Sequence, residues 1–523
     1  MKRSAWLAGY AVASFLAFPH PVGGRVLDLG IGLAWVAPAA LLLGLRGLGV
    51  RRAAKLAFLA SLAAHSAILH WIYVVTVEYG HAPPAVGVIA PVALAGYIAA
   101  FGGLFGAGAA LLARGGVASP FAVALLWTAL DHLRSFALSG FPWATLGYAQ
   151  HENAALLPLA SLGGVYALCF LSALGGASLA RVVQLRRLDA AAASGFAAVL
   201  LAHAIGFGIS AAETDEAGLP RLRVAVLQGN IDQGVKWSPE FAERTLGIYE
   251  DLSRRAAAQG ARVIVWPETA VPGAIDPGQD EHLRFERLAR ETGAALVVGA
   301  VGLDLGPGPT LVGVTDSAFV FDASGQLAHR YDKTHLVPFG EYVPFQDLLG
   351  KLFRAVARGI AEIGVSAGPR PRALAFAVPG AEAELTAGVP ICYELLFPDL
   401  MRRFVRDGAE VLFAMTNDAW YGRTGAPYQF LAITALRSAE SRVWTARAAN
   451  TGVSAIIDAR GRVRRQTRIF ERDLLVEDVT LRPAPAGGSF YARHGDVFAG
   501  LCWAGAGLWL AAAWRRVRRG GQG

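Results

Sequence analysis

Eight long apolar stretches constrain this chain more than any other feature of its sequence. A helix needs about 20 mostly apolar residues to cross the hydrocarbon core of a bilayer, where only a helix or a closed barrel satisfies its own backbone hydrogen bonds. The sequence therefore predicts a polytopic α-helical membrane domain of about eight spans. The stretches are residues 4–19, 26–49, 54–76, 85–113, 118–136, 156–180, 190–211 and 497–514.

The apolar residues are distributed unevenly along the chain. Hydrophobic residues make up 54% of the 523 residues and charged residues only 17%, which is typical of a membrane protein with a large polar part. We therefore predict a seven-helix membrane domain at 1–212, a polar domain at 220–482 and a C-terminal membrane helix at 497–514. The first stretch follows Lys2 and Arg3 without a clear small-x-small cleavage site, so we expect an uncleaved anchor.

Basic residues orient the predicted spans. With the N-terminus inside, the cytoplasmic segments hold fourteen lysines and arginines, whereas the opposite short loops hold two or three. Because cytoplasmic loops are enriched in basic residues, both termini are predicted to be cytoplasmic and the polar domain to lie on the outer face. We attribute the net charge of +8 to this topology, and we expect no nucleic-acid partner.

The polar domain alternates stretches of strand type and helix type. Helical patterns cover 239–258 and 280–291, and apolar, β-branched runs of strand length lie around them. This alternation predicts a layered α/β domain with several fully buried strands. The predicted strands are 222–228, 262–266, 295–301, 317–322, 410–416 and 453–458.

Three strand ends carry residues able to do chemistry. "RVIVWPETA" places Glu268 after a strand, "AHRYDKTHLVPFGEYVPF" places Lys333 and then Glu341, and "LTAGVPICYELLFP" places Cys392. In α/β domains ligands meet the carboxyl ends of strands, so these side chains are predicted to share one cleft. Taken singly, each has a simpler interpretation: a solvated loop glutamate, a surface pair of Lys333 with Asp332, or a brace for a proline-rich loop.

Cys392 is the candidate nucleophile. The other cysteines, Cys169 and Cys502, fall inside predicted spans, so neither is expected to form a disulfide with it, although inert burial stays open. Pro398 marks the start of a helix running to Gly408, and the dipole at that end favours a thiolate.

These residues together form an acyl-transfer set. Glu268 can take the thiol proton and return it to a leaving group, and Lys333, with a backbone N–H such as that of Tyr393, can stabilise an oxyanion. We find no HExxH, paired CxxC or phosphate-loop pattern, and we expect neither a metal nor a cofactor.

Three alternatives stay open on the residues alone. A tethered amidase would use the same set with water as acceptor, and a Cys–His site would replace Glu268 by His335. A non-enzymatic transporter or lipid-binding scaffold would not need Cys392 at all. The number of predicted spans argues against the amidase, since a small polar substrate does not require such a membrane part.

At these residues the sequence resembles the nitrilase, or carbon–nitrogen hydrolase, superfamily. The resemblance rests on Glu268 in "WPET", Lys333 in "YDKTHLVPFGEYVP" and Cys392 in "ICYE". The membrane segments on both sides narrow it to the apolipoprotein N-acyltransferase family. Supporting stretches are "QGNIDQGVKW", "SGFPWATLGYAQ", "TNDAWYG" and "RAANTGVSAIID".

The resemblance implies a nitrilase-like αββα sandwich beside the membrane helices, in the inner membrane of a bacterium. It implies that Cys392 accepts an acyl chain from a phospholipid as a thioester and passes it to the α-amine of a diacylglyceryl-modified apolipoprotein. Glu268 would then be the base and acid, Lys333 the oxyanion stabiliser, and Glu341 an orienting group. We expect a monomer.

Further positions follow from the same resemblance. Tyr393 and Glu394 would shape the pocket beside the nucleophile, and Trp237 would lie in a loop near the lipid entry. Trp420 and Tyr421, in "TNDAWYG", are predicted to bind substrate. Segments 340–372 and 420–428 are candidate lids.

The segment "LDHLRSFALSGFPW" places charges close to a span end. Charged groups at membrane depth are functional candidates by default. Because the interface is near, we instead expect Asp131, His132 and Arg134 to form a structural ion pair or to reach the interface.

Overall fold

A computed structural model describes residues 2–212, 216–276, 280–306, 310–342, 364–482 and 488–520. We call residues 2–212 and 488–520 the helical part, and residues 216–482 the α/β part. The first section of the helical part contains seven helices and a short hairpin. These are α1 (Arg3–Leu16), β1 (His20–Val22), β2 (Arg25–Leu27), α2 (Gly30–Leu45), α3 (Val50–Ile68), α4 (Pro84–Arg114), α5 (Pro120–Arg134), α6 (Ala160–Leu185) and α7 (Ala190–Ala212).

Five helices among the described residues are long and apolar enough to cross a membrane, and they match five of the eight predicted spans. They are Val50–Trp71, Pro84–Arg114, Leu157–Leu185, Ala190–Ala212 and Val497–Arg519. The predicted spans 4–19, 26–49 and 118–136 instead form helices of 14, 16 and 15 residues. At about 1.5 Å per residue these are shorter than the roughly 30 Å core of a bilayer. The predicted count of eight spans is therefore not confirmed.

Within its described residues, the α/β part is built on two six-stranded sheets. The first has the order β14-β3-β4-β5-β6-β7 and the second β13-β12-β11-β10-β9-β8. In chain order the strands are β3 (Arg221–Gln228), β4 (Val263–Val265), β5 (Ala295–Leu305), β6 (Leu311–Phe321), β7 (Leu327–Asp332), β8 (Leu374–Phe376), β9 (Leu385–Gly388), β10 (Val411–Thr416), β11 (Trp444–Ala449), β12 (Ala455–Ile457), β13 (Val463–Gln466) and β14 (Asp473–Thr480). All six predicted strands are confirmed.

Helices cover the outer faces of both sheets. They are α8 (Pro239–Ala258), α9 (Asp280–Thr292), α10 (Pro398–Arg406) and α11 (Ala426–Ser441). The chain then returns to the helical part through α12 (Phe490–His494) and α13 (Val497–Gly520). Along β3, Val224 and Val226 join the core that contains the second sheet, whereas Ala225 and Leu227 join the core under α8 and α9. A strand buried on both faces must be apolar throughout. The predicted αββα sandwich is confirmed.

Helix α11 joins the two parts of the molecule. All of its residues except Tyr428 are buried. Gln429 accepts a hydrogen bond from the indole of Trp143 (2.8 Å), and Arg437 donates one to the hydroxyl of Tyr148 (3.0 Å). The α/β part is therefore packed against the helical part over a whole helix as well as connected to it through the chain.

Glu440, near the end of α11, caps a broken helix. Helix α6 is interrupted at Gly163 and Gly164, where Gly164 has a φ of +63°. The backbone N–H of Val165, which begins the next helical segment, donates to Glu440 Oε1 (2.7 Å). A carboxylate at a helix N-terminus satisfies a free N–H group and favours the local dipole.

The charges near the end of α5 form the structural ion pair that the sequence predicts. Arg134 is buried and donates to Asp131 Oδ1 (3.1 Å), Thr145 Oγ1 (3.1 Å) and the carbonyl oxygen of Trp143 (2.7 Å). His132 instead lies 3.4 Å from Asp496 at the start of the last helix.

Candidate active site

The candidate nucleophile lies at a strained turn after β9. Ile391 forms a bridge with Met415, which extends the second sheet by one residue. Cys392 then adopts a φ of +46° and starts a short 3₁₀ turn that runs to Leu396. A residue other than glycine rarely adopts a positive φ, and such strain clusters at functional sites. At Cys392 the chain therefore turns away from the direction of the strand.

The predicted base lies at a similarly tight turn on the first sheet. Glu268 follows β4, and the next residue, Thr269, has a φ of +46°. A Cβ at Gly299, on the neighbouring strand β5, would lie 2.2 Å from the carbonyl oxygen of Pro267. Only a glycine there permits the close approach that places Glu268 at the sheet edge.

Lys333 is the centre of a buried cluster of acids. It follows β7 directly, and its side chain is 0% exposed. Its Nζ donates to Glu268 Oε1 (3.0 Å), Glu341 Oε1 (2.5 Å) and Asp316 Oδ2 (3.3 Å). The surface pair with Asp332 is therefore wrong, because the side chain of Lys333 is directed to these three groups. Three clustered carboxyl groups suit a cation, and here that cation is the ammonium group.

Two acids of this cluster, Glu268 and Asp316, have pKa values shifted in opposite directions. Burial and the neighbouring Glu268 raise the pKa of Asp316 well above its ordinary value. Burial alone would raise the pKa of Glu268, but Lys333 and other hydrogen-bonding and charged neighbours together hold that pKa below its ordinary value. Glu268 is thus ionised at neutral pH, which is the state that a general base requires, whereas Asp316 holds its proton more tightly than an ordinary aspartate.

The thiol of Cys392 is protonated in the resting site. Burial first and Glu268 second raise its pKa well above the ordinary value, and Lys333 opposes them. Helix α10 begins six residues after Cys392, and a 3₁₀ turn lies between them. The helix that begins at Pro398 is where the sequence predicts it, but the pKa of the Cys392 thiol is raised rather than lowered. A protonated thiol next to an ionised Glu268 requires proton transfer during the attack.

Glu394 connects the Cys392 turn to the Lys333 loop. It is fully buried, and its Oε1 accepts hydrogen bonds from the hydroxyl of Tyr331 and from the backbone and side chain of Thr334, each at 2.7 Å. Its Oε2 accepts from the backbone N–H of Ile391 (2.8 Å). Glu394 therefore fixes the distance between the two loops.

The predicted orienting glutamate also stabilises its own loop. Besides Lys333, Glu341 accepts a hydrogen bond from the backbone N–H of Val337 at its Oε2 (2.9 Å). It therefore holds the segment after β7 in the conformation that presents Lys333.

Two tyrosines beside the nucleophile contact the helical part. Tyr393 donates a hydrogen bond to the carbonyl oxygen of Gly140 (3.2 Å). The ring of Tyr421 packs edge-on against Trp71 at 4.9 Å and lies 6.0 Å from Trp143. Tyr421 is also close enough to Cys392 for the two groups to interact electrostatically. Residues of the helical part therefore form one wall of the site.

The other two predicted substrate residues lie further out. Trp420 packs edge-on against Tyr79 at 6.0 Å, and Trp237 is 49% exposed on the loop before α8. Of the two predicted lids, residues 343–363 of segment 340–372 lie outside the described residues. Segment 420–428 is held against the helical part, where a Cβ at Gly425 would meet the carbonyl oxygen of Pro19 at 2.7 Å. That packing does not favour a lid at 420–428.

His335, the alternative base, packs among aromatic rings. Its ring lies 3.9 Å from that of Phe397 and 5.6 Å from that of Tyr393. Burial and the nearby Lys333 lower its pKa to about 4. This geometry favours an aromatic packing role, whereas Glu268 has the hydrogen-bonded, ionised arrangement of a base.

Sequence reasoning missed three residues of the site. Asp316 lies in the middle of an apolar strand, and the backbone N–H of Asn417 donates to Glu268 Oε2 (2.7 Å). Lys236 is buried, and its Nζ donates to Thr269 Oγ1 (2.6 Å) and to the carbonyl oxygen of Glu268 (3.4 Å). The sequence did contain one signal for Lys236, since it lies beside Trp237 in the stretch "QGNIDQGVKW", which supports the family resemblance.

Comparisons with known proteins agree with this geometry. The family model described as "Carbon-nitrogen hydrolase" matches residues 223–484, and the one described as "Apolipoprotein N-acyltransferase N-terminal domain" matches residues 10–178. Fold and site thus define a membrane protein of the carbon–nitrogen hydrolase class. Over 98% of its length the chain is 39% identical to an apolipoprotein N-acyltransferase of Geobacter metallireducens, of which it covers 95%. The chain belongs to the apolipoprotein N-acyltransferase family.

More distant relatives have the same name. The chain is 33% identical to an apolipoprotein N-acyltransferase of Pseudomonas syringae pv. tomato and 32% identical to one of Vibrio cholerae, with 86% of each chain covered in both cases. Among solved structures, an amidase from Nesterenkonia sp. aligns with 54% of this chain and 96% of its own, at 19% identity and a TM-score of 0.36.

Proposed function

We propose that this enzyme transfers an acyl chain from a membrane phospholipid, through a thioester on Cys392, to the α-amine of the diacylglyceryl-cysteine of an apolipoprotein. One observation carries the proposal. The nucleophile lies in a carbon–nitrogen hydrolase site whose wall is partly made by the helical part, through Tyr393 with Gly140 and Tyr421 with Trp71. A site bordered by membrane helices suits two substrates that are anchored in a bilayer.

In the first step Glu268 removes the proton from the thiol of Cys392 as sulfur attacks the ester carbonyl carbon. The tetrahedral oxyanion is stabilised by Lys333, whose ammonium group is already held within 3.3 Å of three carboxyl groups. The carbon–oxygen bond then breaks, and Glu268 returns its proton to the leaving alkoxide. The products are the thioester and a lysophospholipid.

In the second step the α-amine attacks the thioester carbonyl and Glu268 accepts a proton from the nitrogen. The carbon–sulfur bond breaks, the proton returns to Cys392, and the amide remains on the apolipoprotein. Exclusion of water from the site keeps hydrolysis of the thioester slow. Within this scheme Glu341 and Glu394 are positioning residues, and Trp237, Trp420 and Tyr421 contact the lipid substrates.

The same proposal includes an orientation in the membrane. The excess of basic residues in alternate loops of the sequence supports cytoplasmic termini and an α/β part on the outer face of the inner membrane. We propose a monomer, since one chain contributes every group of the site.

Mass spectrometry of Cys392 tests the proposal directly. The full chain in detergent is incubated with vesicles of a synthetic diacyl phospholipid, and the expected result is a mass increase of one acyl chain on Cys392. Addition of a diacylated lipopeptide should remove that mass and give N-acylated peptide. The Cys392→Ser variant should show neither product. Release of ammonia from simple amides without any N-acylated peptide would contradict the proposal and favour an amidase.

A further inference from the structure

Lys236 is a second buried lysine at the site, and the mechanism above does not use it. It lies between the end of β3 and the start of α8, and it is 1% exposed, although its neighbour Trp237 is half exposed. Burial of an ammonium group is costly unless nearby groups compensate it. Its Nζ donates to Thr269 Oγ1 (2.6 Å) and to the carbonyl oxygen of Glu268 (3.4 Å), so it is bound to the turn that carries the base.

The acidic groups around Lys333 outnumber it. Its ammonium group is the shared partner of three carboxyl groups, those of Glu268, Asp316 and Glu341. One cation compensates the charge of one carboxylate, so a second buried carboxylate in this cluster requires a second cation. A buried negative charge is lost most easily by protonation, and Glu268, the base, would then be disabled.

Lys236 supplies a second positive charge at this cluster. The groups that act on its ammonium charge are Glu268, Asp316 and Cys392, which come from three different elements of the site. Burial outweighs their effect and lowers the pKa of Lys236 to about 8. The group is thus still protonated at neutral pH, and its attraction is one of the factors that keep the pKa of Glu268 low.

We propose that Lys236 is a positioning residue whose charge keeps Glu268 ionised, and whose hydrogen bonds hold the strained Glu268–Thr269 turn. The inference rests on the proposed role of Glu268 as base for Cys392. It does not depend on the identity of the acyl donor, because the same base serves any electrophile that reaches the thiol.

Alkylation of Cys392 by iodoacetamide, followed by intact mass from acidic to alkaline pH, tests this role. Three variants of the full chain separate charge from hydrogen bonding: Lys236→Met loses both, Lys236→Gln keeps hydrogen-bond donors without charge, and Lys236→Arg keeps the charge. We expect the acidic limb of the rate profile to move to higher pH by about one unit or more in the Met and Gln variants. The Arg variant should keep the wild-type midpoint.

Two results would contradict the proposed role of Lys236. If the Met and Gln variants keep the wild-type midpoint, the charge of Lys236 does not act on Glu268 and the inference is wrong, whatever happens to the absolute rate. A loss of rate that Gln restores would show a purely structural hydrogen-bonding role. Thermal unfolding of each variant identifies any that do not fold, and Thr269→Val then serves as the second test, with a smaller shift expected because the cation stays.

The measurement also separates this inference from the proposed function. Acyl-enzyme formation from phospholipid vesicles is followed in parallel on the same variants. If alkylation shifts as expected while no thioester forms in the wild-type chain, the proposed acyl transfer fails and the role of Lys236 stands. If the thioester forms but neither profile shifts, the proposed function stands and the inference fails.

Discussion

The cluster around Lys333 and the cluster around Arg437 each bury a cation beside acidic groups, but they differ in what surrounds that cation. Lys333 follows a strand, contacts three carboxyl groups from separate segments and lies beside a free thiol. Arg437 lies inside α11, pairs with Glu440 three residues along the same helix (3.1 Å), and donates to Tyr148. Buried charge alone therefore does not mark a catalytic site.

The difference predicts opposite consequences of mutation. The acidic groups that surround Lys333 come from several loops beside a nucleophile, so their loss is expected to affect the reaction. Arg437 and Glu440 are paired within α11, at the junction between the helical part and the α/β part, so their loss is expected to affect folding.

The largest expected effect is on the nucleophile itself. Cys392→Ser should abolish the acyl-enzyme and the N-acylated product, because a serine hydroxyl is a much weaker nucleophile without a base matched to it. Its thermal unfolding should stay close to that of the wild type. The control is Cys502→Ala, which removes another buried thiol far along the chain. Retained acyl transfer in Cys392→Ser would overturn the assignment.

The next largest effect is expected at the base. Glu268→Gln keeps the size of the side chain and removes the charge, so the rate of acyl-enzyme formation should fall by about 100-fold to 10,000-fold. Single-turnover mass spectrometry measures this rate. A reduction of less than about tenfold would favour another base.

At the junction, Arg437→Met should destabilise the protein and leave the chemistry of the folded molecules nearly intact. It leaves Glu440 buried without its ion-pair partner, for which a loss of about 3–5 kcal/mol is typical. Chemical or thermal unfolding in detergent measures the loss, and activity is normalised to folded protein. A large change in the rate per folded molecule with unchanged stability would contradict the division between the two clusters.

Glu440 also predicts how the stability of the junction depends on pH. Burial raises its pKa to about 7, although Arg437 opposes the shift. Because the folded state binds this proton more tightly than the unfolded state, its contribution to stability is present below about pH 4.5 and is lost as pH rises through 7. Glu440→Gln should therefore flatten the fall of the unfolding temperature over this interval. A wild-type profile that rises through the interval would contradict the assignment.

The smallest effect is expected at His335. His335→Ala removes a ring that packs on Phe397 and Tyr393, so a loss of rate of only a few-fold is expected, with a modest loss of stability. If this variant abolished acyl transfer while Glu268→Gln retained it, the Cys–His alternative would be correct.

Much of this architecture could be predicted from local sequence. The buried strands of the first sheet are apolar on both faces, and the three motif residues lie just after strands, so their convergence follows from the topology of an α/β sheet. The strands that escaped prediction lack this pattern. β13 is exposed throughout, and β11 carries the charged Arg447, which is buried against Asp418 (2.8 Å).

The parts that could not be predicted depend on tertiary contacts. Lys236 looks like any lysine in a loop, and its burial becomes evident only when the turn at Thr269 is packed over it. The protonated state of Cys392 depends on Glu268, which lies 124 residues earlier in the chain. Burial and Glu268 also oppose the thiolate-favouring dipole of α10, and a 3₁₀ turn separates the thiol from that helix.

The packing of helix α11 against the helical part limits how this chain can be divided or recombined. Since Gln429, Arg437 and Glu440 each make a hydrogen bond to a residue of the helical part, excising the α/β part would expose three buried polar side chains and the face of α11 that packs against the helical part. A soluble version of this enzyme is therefore expected to aggregate. Chimeras made from two relatives should fold only when helix α11 and its membrane partners are exchanged as a matched set.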